Sequence, residues 1–543
     1  MNDAIIEQAF ANVKIAMCTI LRGSYWQLPS NSSMKNIQHE YLHSTMNPLL
    51  DYSSNSLYRD DGTQKMNYLI KLKQKIQEAI VFWLKIDYTI VNRLLSTRCL
   101  IMNHKLEIKH LGPIEECALT IDNINVFTGP QSNGKSTIAK AVYFFRTIKQ
   151  DILNIMMQGG PQSVDKKNRD TWEVVLKAWM RDKFLQLFGT SWVMPEDMKI
   201  KYTYKQDVYI EVYLNTVDDY SKNYVSVFFS RVIEDFLSDL DEYTFFDMDA
   251  GQKEHHEQAL VKLFNDPYET VFIPAGRNLI TLLSSQLNYI FTSLEGVPLR
   301  NIDYITRKYT ELILKIKPLF GDGIDGLREK YSSSLDPTIL RKYKNNQATI
   351  NQAIRDARVI LNAKYQYVDG DERLYLDEKK YIKINYSSSG QQEIVWVLNL
   401  LIYYLLEGKR VFLILEEPES HLYPETQRLV GELLSLFLNN SNSGIITTHS
   451  PYLLGTLNYM LLASQVPASC EESIKAVVHK KKWIDAKNLA AYFIHDGKMD
   501  DAVVSEEGIT LIANDVIEGA STHINDNTDK ILTCLYAEEN SND

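Results

Sequence analysis

The residues best suited to chemistry begin with Gly129-Pro130-Gln131-Ser132-Asn133-Gly134-Lys135-Ser136, which fits the pattern G-x-x-x-x-G-K-[S/T]. The context fits too. Val126-Phe127 ends a strand-like apolar run, and Thr137–Phe145 has the spacing of a helix. Glycines let successive backbone N–H groups curl around phosphates, and the helix N-terminus that follows favours an anion. In such a cradle, running through Thr137, Lys135 is expected to reach the β- and γ-phosphates of ATP and Ser136 to bind Mg²⁺.

A second segment is Val411-Phe412-Leu413-Ile414-Leu415-Glu416-Glu417-Pro418-Glu419. Five apolar residues in a row read as a strand buried on both faces of a parallel sheet. Two carboxylates at its end suit a phosphoryl-transfer site. Glu416 is expected in the Mg²⁺ shell, and Glu417 as the base that orients and deprotonates the attacking water. A third segment, Tyr386-Ser387-Ser388-Ser389-Gly390-Gln391-Gln392-Glu393, opens an apolar helix over Ile394–Leu406. Read plainly, Ser389 is a helix N-cap with Gln392 closing a capping box. The same polarised helix start can also place Ser388, Ser389, Gly390 and Gln391 against the γ-phosphate of ATP held by another subunit. A fourth segment, Gly444-Ile445-Ile446-Thr447-Thr448-His449, ends a strand in a histidine placed to sense that phosphate.

Gly390 and Glu416 lie 26 positions apart, room for one helix and a turn before the carboxylate strand. The organisation read along the chain is an N-terminal helical module over 1–103, with helices at Ile5–Leu21 and Lys65–Leu100. A first part of a nucleotide-binding core covers 104–150 and a mixed helical and β insertion 151–380. The second part of the core covers 381–456 and a mixed tail 457–543. In the insertion, helices are expected at Trp172–Phe188, Leu279–Phe291, Ile305–Ile316 and Ile350–Ala363, and strands at Lys199–Leu214 and Tyr224–Phe229. No sustained heptad favours a long coiled coil.

Bulk properties narrow the class. Charge is −11 over 543 residues, unlike a nucleic-acid coat protein, although local DNA or RNA contact stays open. Five scattered cysteines form no C-x-x-C pair, which argues against a zinc ribbon or disulfide scaffold. The apolar run Val395–Leu406 is too short to span a bilayer, and no apolar leader follows Met1. A cytoplasmic location without membrane attachment is expected.

Phosphate loop, Ser-Gly helix start, carboxylate strand and histidine, in this order, resemble the ABC/SMC-type ATPases. The resemblance implies an α/β fold: an ABC/SMC-type P-loop nucleotide-binding domain carrying the large insertion and the N-terminal module. It also implies ATP and Mg²⁺ as ligands and self-association around ATP. The wording is similar to that of the compact SMC/RecF-like group that includes OLD nucleases and anti-phage defence ATPases. Its phrases are Gly-Pro-Gln-x-x-Gly-Lys-Ser-Thr, Ser-Ser-Gly-Gln-Gln-Glu, Glu-Glu-Pro-Glu-Ser-His-Leu-Tyr-Pro-Glu-Thr-Gln and Thr-Thr-His-Ser-Pro-Tyr-Leu-Leu, and less strongly Val271–Arg277. Glu416-Glu417 departs from the Asp-Glu usual in transporter ATPases, and Ser420-His421-Leu422 takes the place of the D-loop that crosses the dimer seam. Within the group the chain resembles PtuA-like ATPases of Septu-type defence. That implies a separate HNH nuclease partner (PtuB-like) and, in some systems, a reverse transcriptase with its msDNA. Alternatives are a PARIS-type AriA-like ATPase with a Toprim partner and a RecF/SMC-like DNA-repair ATPase. The tail lacks the Asp-x-Asp pair of a Toprim domain, so a nuclease site in this chain is not expected.

Three other patterns read as surface rather than site. His39-Glu40-Tyr41-Leu42-His43 matches H-E-x-x-H but lies in a polar stretch with no third ligand in view. Glu254-His255-His256-Glu257 reads as a helix surface. His479-Lys480-Lys481-Lys482-Trp483 could touch nucleic acid but reads first as a solvated strand end.

Overall fold

A computed structural model describes residues 104–513, except 122, 162–170, 216–223, 242–247, 283–302 and 507, together with Thr528. The expected helices at Ile5–Leu21 and Lys65–Leu100, the His39–His43 motif and most of Leu279–Phe291 lie outside the described residues. The chain divides into compact units Met1–Thr97 and Arg98–Asp543, and all elements below belong to the second.

Strands β1 (His104–Leu111) and β2 (Ile114–Ile121) form an antiparallel hairpin. β3 (Ile124–Thr128) is buried throughout and runs through the glycine loop into α1 (Lys135–Arg146), then α2 (Ile148–Met157) and α3 (Trp172–Phe188). β4 (Lys199–Lys205), β5 (Val208–Asn215) and β6 (Tyr224–Phe229) extend the hairpin into a sheet ordered β2-β1-β4-β5-β6. The single strand expected over Lys199–Leu214 is therefore two, because the chain turns at Gln206-Asp207, where Asp207 has φ 64°. α4 (Arg231–Leu240) and α5 (Ala250–Phe264) lead to β7 (Glu269–Ile273) and the short α6 (Arg277–Leu282). The Glu254–Glu257 patch lies on α5, mostly exposed.

α7 (Tyr304–Ile316), α8 (Gly323–Ser332) and α9 (Pro337–Leu361) follow. α9 starts at Pro337 rather than Ile350 because Asp336 caps it, accepting from Thr338 N at 2.7 Å, with proline tolerated in the first turn. β8 (Lys364–Val368), β9 (Asp371–Tyr375) and β10 (Tyr381–Lys383) form a small antiparallel sheet before α10 (Ser389–Glu407). Then come β11 (Val411–Glu416), α11 (Pro424–Leu438), β12 (Ser443–Thr447), α12 (Pro451–Gln465) and α13 (Glu471–Val477). β13 (Leu489–His495), β14 (Lys498–Asp501), β15 (Val503–Glu506) and β16 (Ile509–Ile512) complete the order.

The central sheet runs β14-β13-β3-β12-β11-β7, parallel except for β14. β7 comes from the stretch read as insertion, and β13 and β14 from the stretch read as tail, so both stretches contribute to the sheet that carries the glycine loop. Alternation along the strands sends side chains to two cores. Phe127, Phe272, Phe412, Ile414, Ile445 and Ile494 join α1–α5 and the antiparallel sheet. Val126, Val271, Leu413, Leu415, Ile446 and Ala491 join α7–α12. Because both faces are covered, β3, β11 and β12 have no exposed residue, and β11 reads as an unbroken apolar run up to Glu416.

The C-terminus of α1 is bolted to this sheet. Arg146 Nη2 meets Asp266 Oδ1 at 2.7 Å with both side chains buried, and the guanidinium lies 3.8 Å from the Phe412 ring centroid. Lys149 Nζ stands 3.2 Å from the other Asp266 oxygen. Asp266→Asn would keep the shape but leave Arg146 buried without its counter-charge, at a cost of about 3–5 kcal/mol. Denaturant unfolding should show that loss; a change below about 1 kcal/mol would mean the pair does not hold α1 in place.

Candidate active site

Three neighbouring parallel strands end side by side. Thr447 on β12 is in register with Phe127 on β3 and with Glu416 on β11. Just past the strand ends, Thr448 N donates to Phe127 O (2.9 Å) and Glu417 N to Thr447 O (3.0 Å). The loops leaving these three strands carry the phosphate loop, the carboxylate pair and His449. They meet at the carboxyl edge of the sheet, where open α/β sheets bind ligands.

The phosphate loop follows β3. Gly129 has φ 131°, and a Cβ there would lie 2.1 Å from the carbonyl oxygen of Ile494 on β13, so only glycine fits. Gly134 has φ 101°, and its Cβ would lie 2.2 Å from Ile114 Cδ1. Pro130, Gln131, Ser132 and Ser136 are exposed, while Asn133 and Thr137 are half-buried. Lys135 is buried and donates to the carbonyls of Gly129 (2.9 Å) and Pro130 (2.7 Å). Burial lowers its pKa to about 8, against the opposing pull of Glu417 and Glu419.

The carboxylates divide their tasks. Glu416 is buried; its Oε2 accepts from Ala275 N at 3.2 Å, and its Oε1 accepts no hydrogen bond from the described residues. Glu417 adopts φ 41°, a left-handed conformation that side chains rarely take. Its Oε2 accepts from Ser420 Oγ (3.2 Å) and its Oε1 lies 3.5 Å from His449 Nε2. The His449 hydrogen bond, chiefly, holds the Glu417 pKa below the usual carboxylate range, so this group is ionised at neutral pH. Glu419 is the residue that sequence reasoning missed here. Its Oε1 accepts from Thr448 Oγ1 (2.7 Å) and from His449 N (2.8 Å), clamping the histidine turn. Burial raises its pKa, partly offset by those two donors.

The helix start at α10 differs from the expected cap by one residue. Ser388, not Ser389, is the N-cap: its Oγ accepts from Gln391 N at 3.3 Å, and Gln391 Oε1 accepts from Ser388 N at 3.3 Å. Gln392 is instead turned onto the carbonyls of Ser387 (3.0 Å) and Ile384 (3.2 Å). Ser389, in the first turn, is exposed. A Cβ at Gly390 would lie 2.9 Å from His421 O, so the glycine lets the Ser420–Leu422 segment pack closely on this turn. Among the described residues no hydrogen bond joins Ser388–Gln391 to Gly129–Ser136.

The family model described as AAA ATPase domain, AAA_15, matches residues 102–454. The chain belongs to this AAA ATPase domain family. No curated protein matches it. Similar solved structures include an SMC head bound to the C-winged helix domain of ScpA, with 11% identity, TM-score 0.32, and cover of 75% of this chain and 98% of that one. The SMC head domain from Thermotoga maritima has 12% identity, TM-score 0.31, and cover of 74% and 98%. The Smc head domain with an extended coiled coil bound to the C-terminal domain of ScpA, derived from Pyrococcus furiosus, has 12% identity, TM-score 0.32, and cover of 78% and 99%.

For an AAA ATPase domain the residues present fit Mg²⁺. A buried carboxylate oxygen without a hydrogen bond among the described residues, Glu416 Oε1, is the kind of hard donor that ion takes, and Ser136 would supply a second. Bound there, Mg²⁺ would neutralise charge on the β- and γ-phosphate oxygens. The His479–Trp483 cluster is held by its own contacts. Lys482 is buried between Glu432 and Asp356, each at 2.8 Å, Lys481 donates to Thr349 Oγ1 (2.9 Å), and Trp483 Nε1 to Val478 O (3.0 Å). That segment is a short 3-10 turn rather than a strand end. No described helix is long and apolar enough to cross a membrane.

A lysine with a pKa near 8 is part-neutral in alkali, and polyphosphate would restore its charge. ATP binding at pH 9 is therefore predicted to take up close to one proton, with affinity falling as pH rises through 8. Calorimetry in two buffers of different ionisation enthalpy measures this. Lys135→Arg, charged throughout, should abolish the uptake; equal heats in both buffers for the unaltered protein would contradict it.

Proposed function

We propose that this ATPase completes its site only between two copies of the chain, and that its nucleotide state controls a separate HNH-type nuclease in an anti-phage defence complex. The observation that carries the first half is the meeting of Lys135, Glu416, Glu417 and His449 at adjoining strand ends while Ser389 stands exposed and, among the described residues, is joined to the phosphate loop by no hydrogen bond. Gly129–Thr137 cradle the triphosphate. Ser136 and Glu416 hold Mg²⁺, and Glu417 takes the proton of the attacking water. His449 positions Glu417 and meets the γ-phosphate. Ser388, Ser389, Gly390 and Gln391 of one copy close over ATP bound to the other, where the start of a long helix favours the anion.

The second half rests on analogy: the wording of Glu416–Gln427 and Thr447–Leu454 is that of the SMC/RecF-like group, within which the chain resembles PtuA-like ATPases. In this reading ATP holds the assembly in a form that restrains the nuclease, and loss of that form releases it. A reverse transcriptase with msDNA joins some assemblies of this kind.

Glu417→Gln should bind ATP while turnover falls by about 10²-fold or more, the usual worth of a general base. Steady-state hydrolysis and nucleotide binding measured side by side check this, and normal turnover would remove Glu417 from the base role. The partner is tested by tagging the chain, expressing it with its neighbouring genes and purifying it in ATP. Recovery of an HNH protein, alone or with a reverse transcriptase, supports the proposal. A Toprim protein would replace it with the AriA-like reading, and a lone ATPase on DNA with the repair reading.

A further inference from the structure

Arg277, just past β7, is fully buried and touches three parts of the molecule at once. Its Nη1 donates to Glu416 O (2.6 Å) and Pro274 O (2.8 Å), and its Nη2 donates to Glu417 O (3.0 Å). Its Nε donates to the backbone carbonyl of Glu393 (3.3 Å), and Nη2 stands 3.2 Å from Glu393 Oε1. The Glu393 carboxylate, also fully buried, accepts from Arg277 N (3.1 Å) and Asn278 N (2.7 Å). Thr281 Oγ1 braces the same junction, donating to Gln392 O (2.9 Å) and Arg277 O (3.1 Å). Glu393 lies one helical turn beyond Ser389 on α10.

We propose that Arg277 is a positioning residue that couples the two ATP sites of the dimer, through Glu393 on one side and the Glu416-Glu417 backbone on the other. This rests on the composite-site reading above. In a two-fold pair, Ser389 of one copy would meet the nucleotide held by the phosphate loop of its partner. A displacement of α10 caused by that nucleotide moves Glu393. The planar guanidinium, with its donors in a rigid fork, passes the displacement to the carbonyl of Glu417. Glu417 is the strained residue whose side chain stands against His449. The occupancy of one site thus changes the geometry of the base in the other. A buried ion pair is weak evidence for stability alone, because apolar residues of similar volume hold a core as well. A fork that reaches four carbonyls and a carboxylate is suited to fixing relative position.

The test uses the full chain and a fluorescent ATP analogue, reading the binding slope, steady-state hydrolysis and self-association together. Coupling between sites is commonly worth about 5- to 150-fold in affinity, enough for a Hill coefficient clearly above 1. Arg277→Lys keeps the charge but cannot span the fork. It should keep first-site affinity within about threefold and lower the Hill coefficient to about 1, with turnover reduced roughly tenfold. A purely structural role would lower melting temperature and affinity together and leave the slope unchanged. Should Arg277→Lys fail to fold, Thr281→Val, which loosens the same junction without touching the charge pair, should lower the slope part-way. An unchanged slope in the folded variants overturns the coupling, as does a wild-type slope of 1. A wild type that neither hydrolyses ATP nor self-associates with it removes the composite site, and this link with it. A wild type that does both, with the slope of Arg277→Lys, removes the link alone.

Discussion

β12 sits between β3 and β11, and its pairing with both brings the phosphate loop, the carboxylates and the histidine to one edge. Parallel strands about 4.8 Å apart leave little freedom in where their following loops begin. Thr448 N and Glu417 N extend the ladder one residue beyond β12 and β11, so backbone hydrogen bonds help to place the first residue of both loops. Glu417 bears the cost. Its left-handed backbone is worth on the order of 1–3 kcal/mol of strain, and the Thr447 carbonyl and Arg277 fork hold it there. In exchange its carboxylate faces His449 and stays ionised at neutral pH.

A different constraint governs α10. Its first turn is capped by Ser388 and Gln391, braced on Leu361 O by the Gln391 amide (2.9 Å), and closely approached by the Ser420–Leu422 segment. The Ser388 and Gln391 side chains are taken up by the cap and brace, and Ser389 is exposed. A helix start so organised favours an anion, and none of the chain's own hydrogen bonds joins it to the phosphate loop among the described residues. The anion in the proposed dimer is therefore the γ-phosphate held by the other copy.

The site motifs were legible because each requires rare local chemistry: glycines at positive φ, a lysine after them, paired carboxylates after an apolar run. The buried strands β3, β11 and β12 were legible for a related reason, since both faces are covered. The membership of β7 and β13 in the central sheet was not read. Leu489–His495 is an apolar run visible in the sequence, but which strand it lies against depends on pairing over more than 350 residues, as in Ala491 beside Val126. The cap shifted from Ser389 to Ser388 because three serines in a row give the same local signal, and only packing against Leu361 and His421 selects one. The Lys199–Leu214 hairpin and the early start of α9 had readable signals in Gln206-Asp207 and Asp336-Pro337. Arg277 and Glu419 had none beyond their place in familiar phrases, since a buried charge is recognised by its partners and not by its neighbours in sequence.

The central claim, a site built from two copies, is tested most directly by mixing two inactive proteins. One carries Lys135→Ala, with its α10 start intact; the other carries Ser389→Arg, with its phosphate loop intact. Each alone should hydrolyse no ATP above background. Mixed, they should regain activity, because one of the two sites in a mixed pair then has both halves unaltered. Activity in the Ser389→Arg protein alone, or no recovery in mixtures shown to contain mixed pairs, would contradict the account.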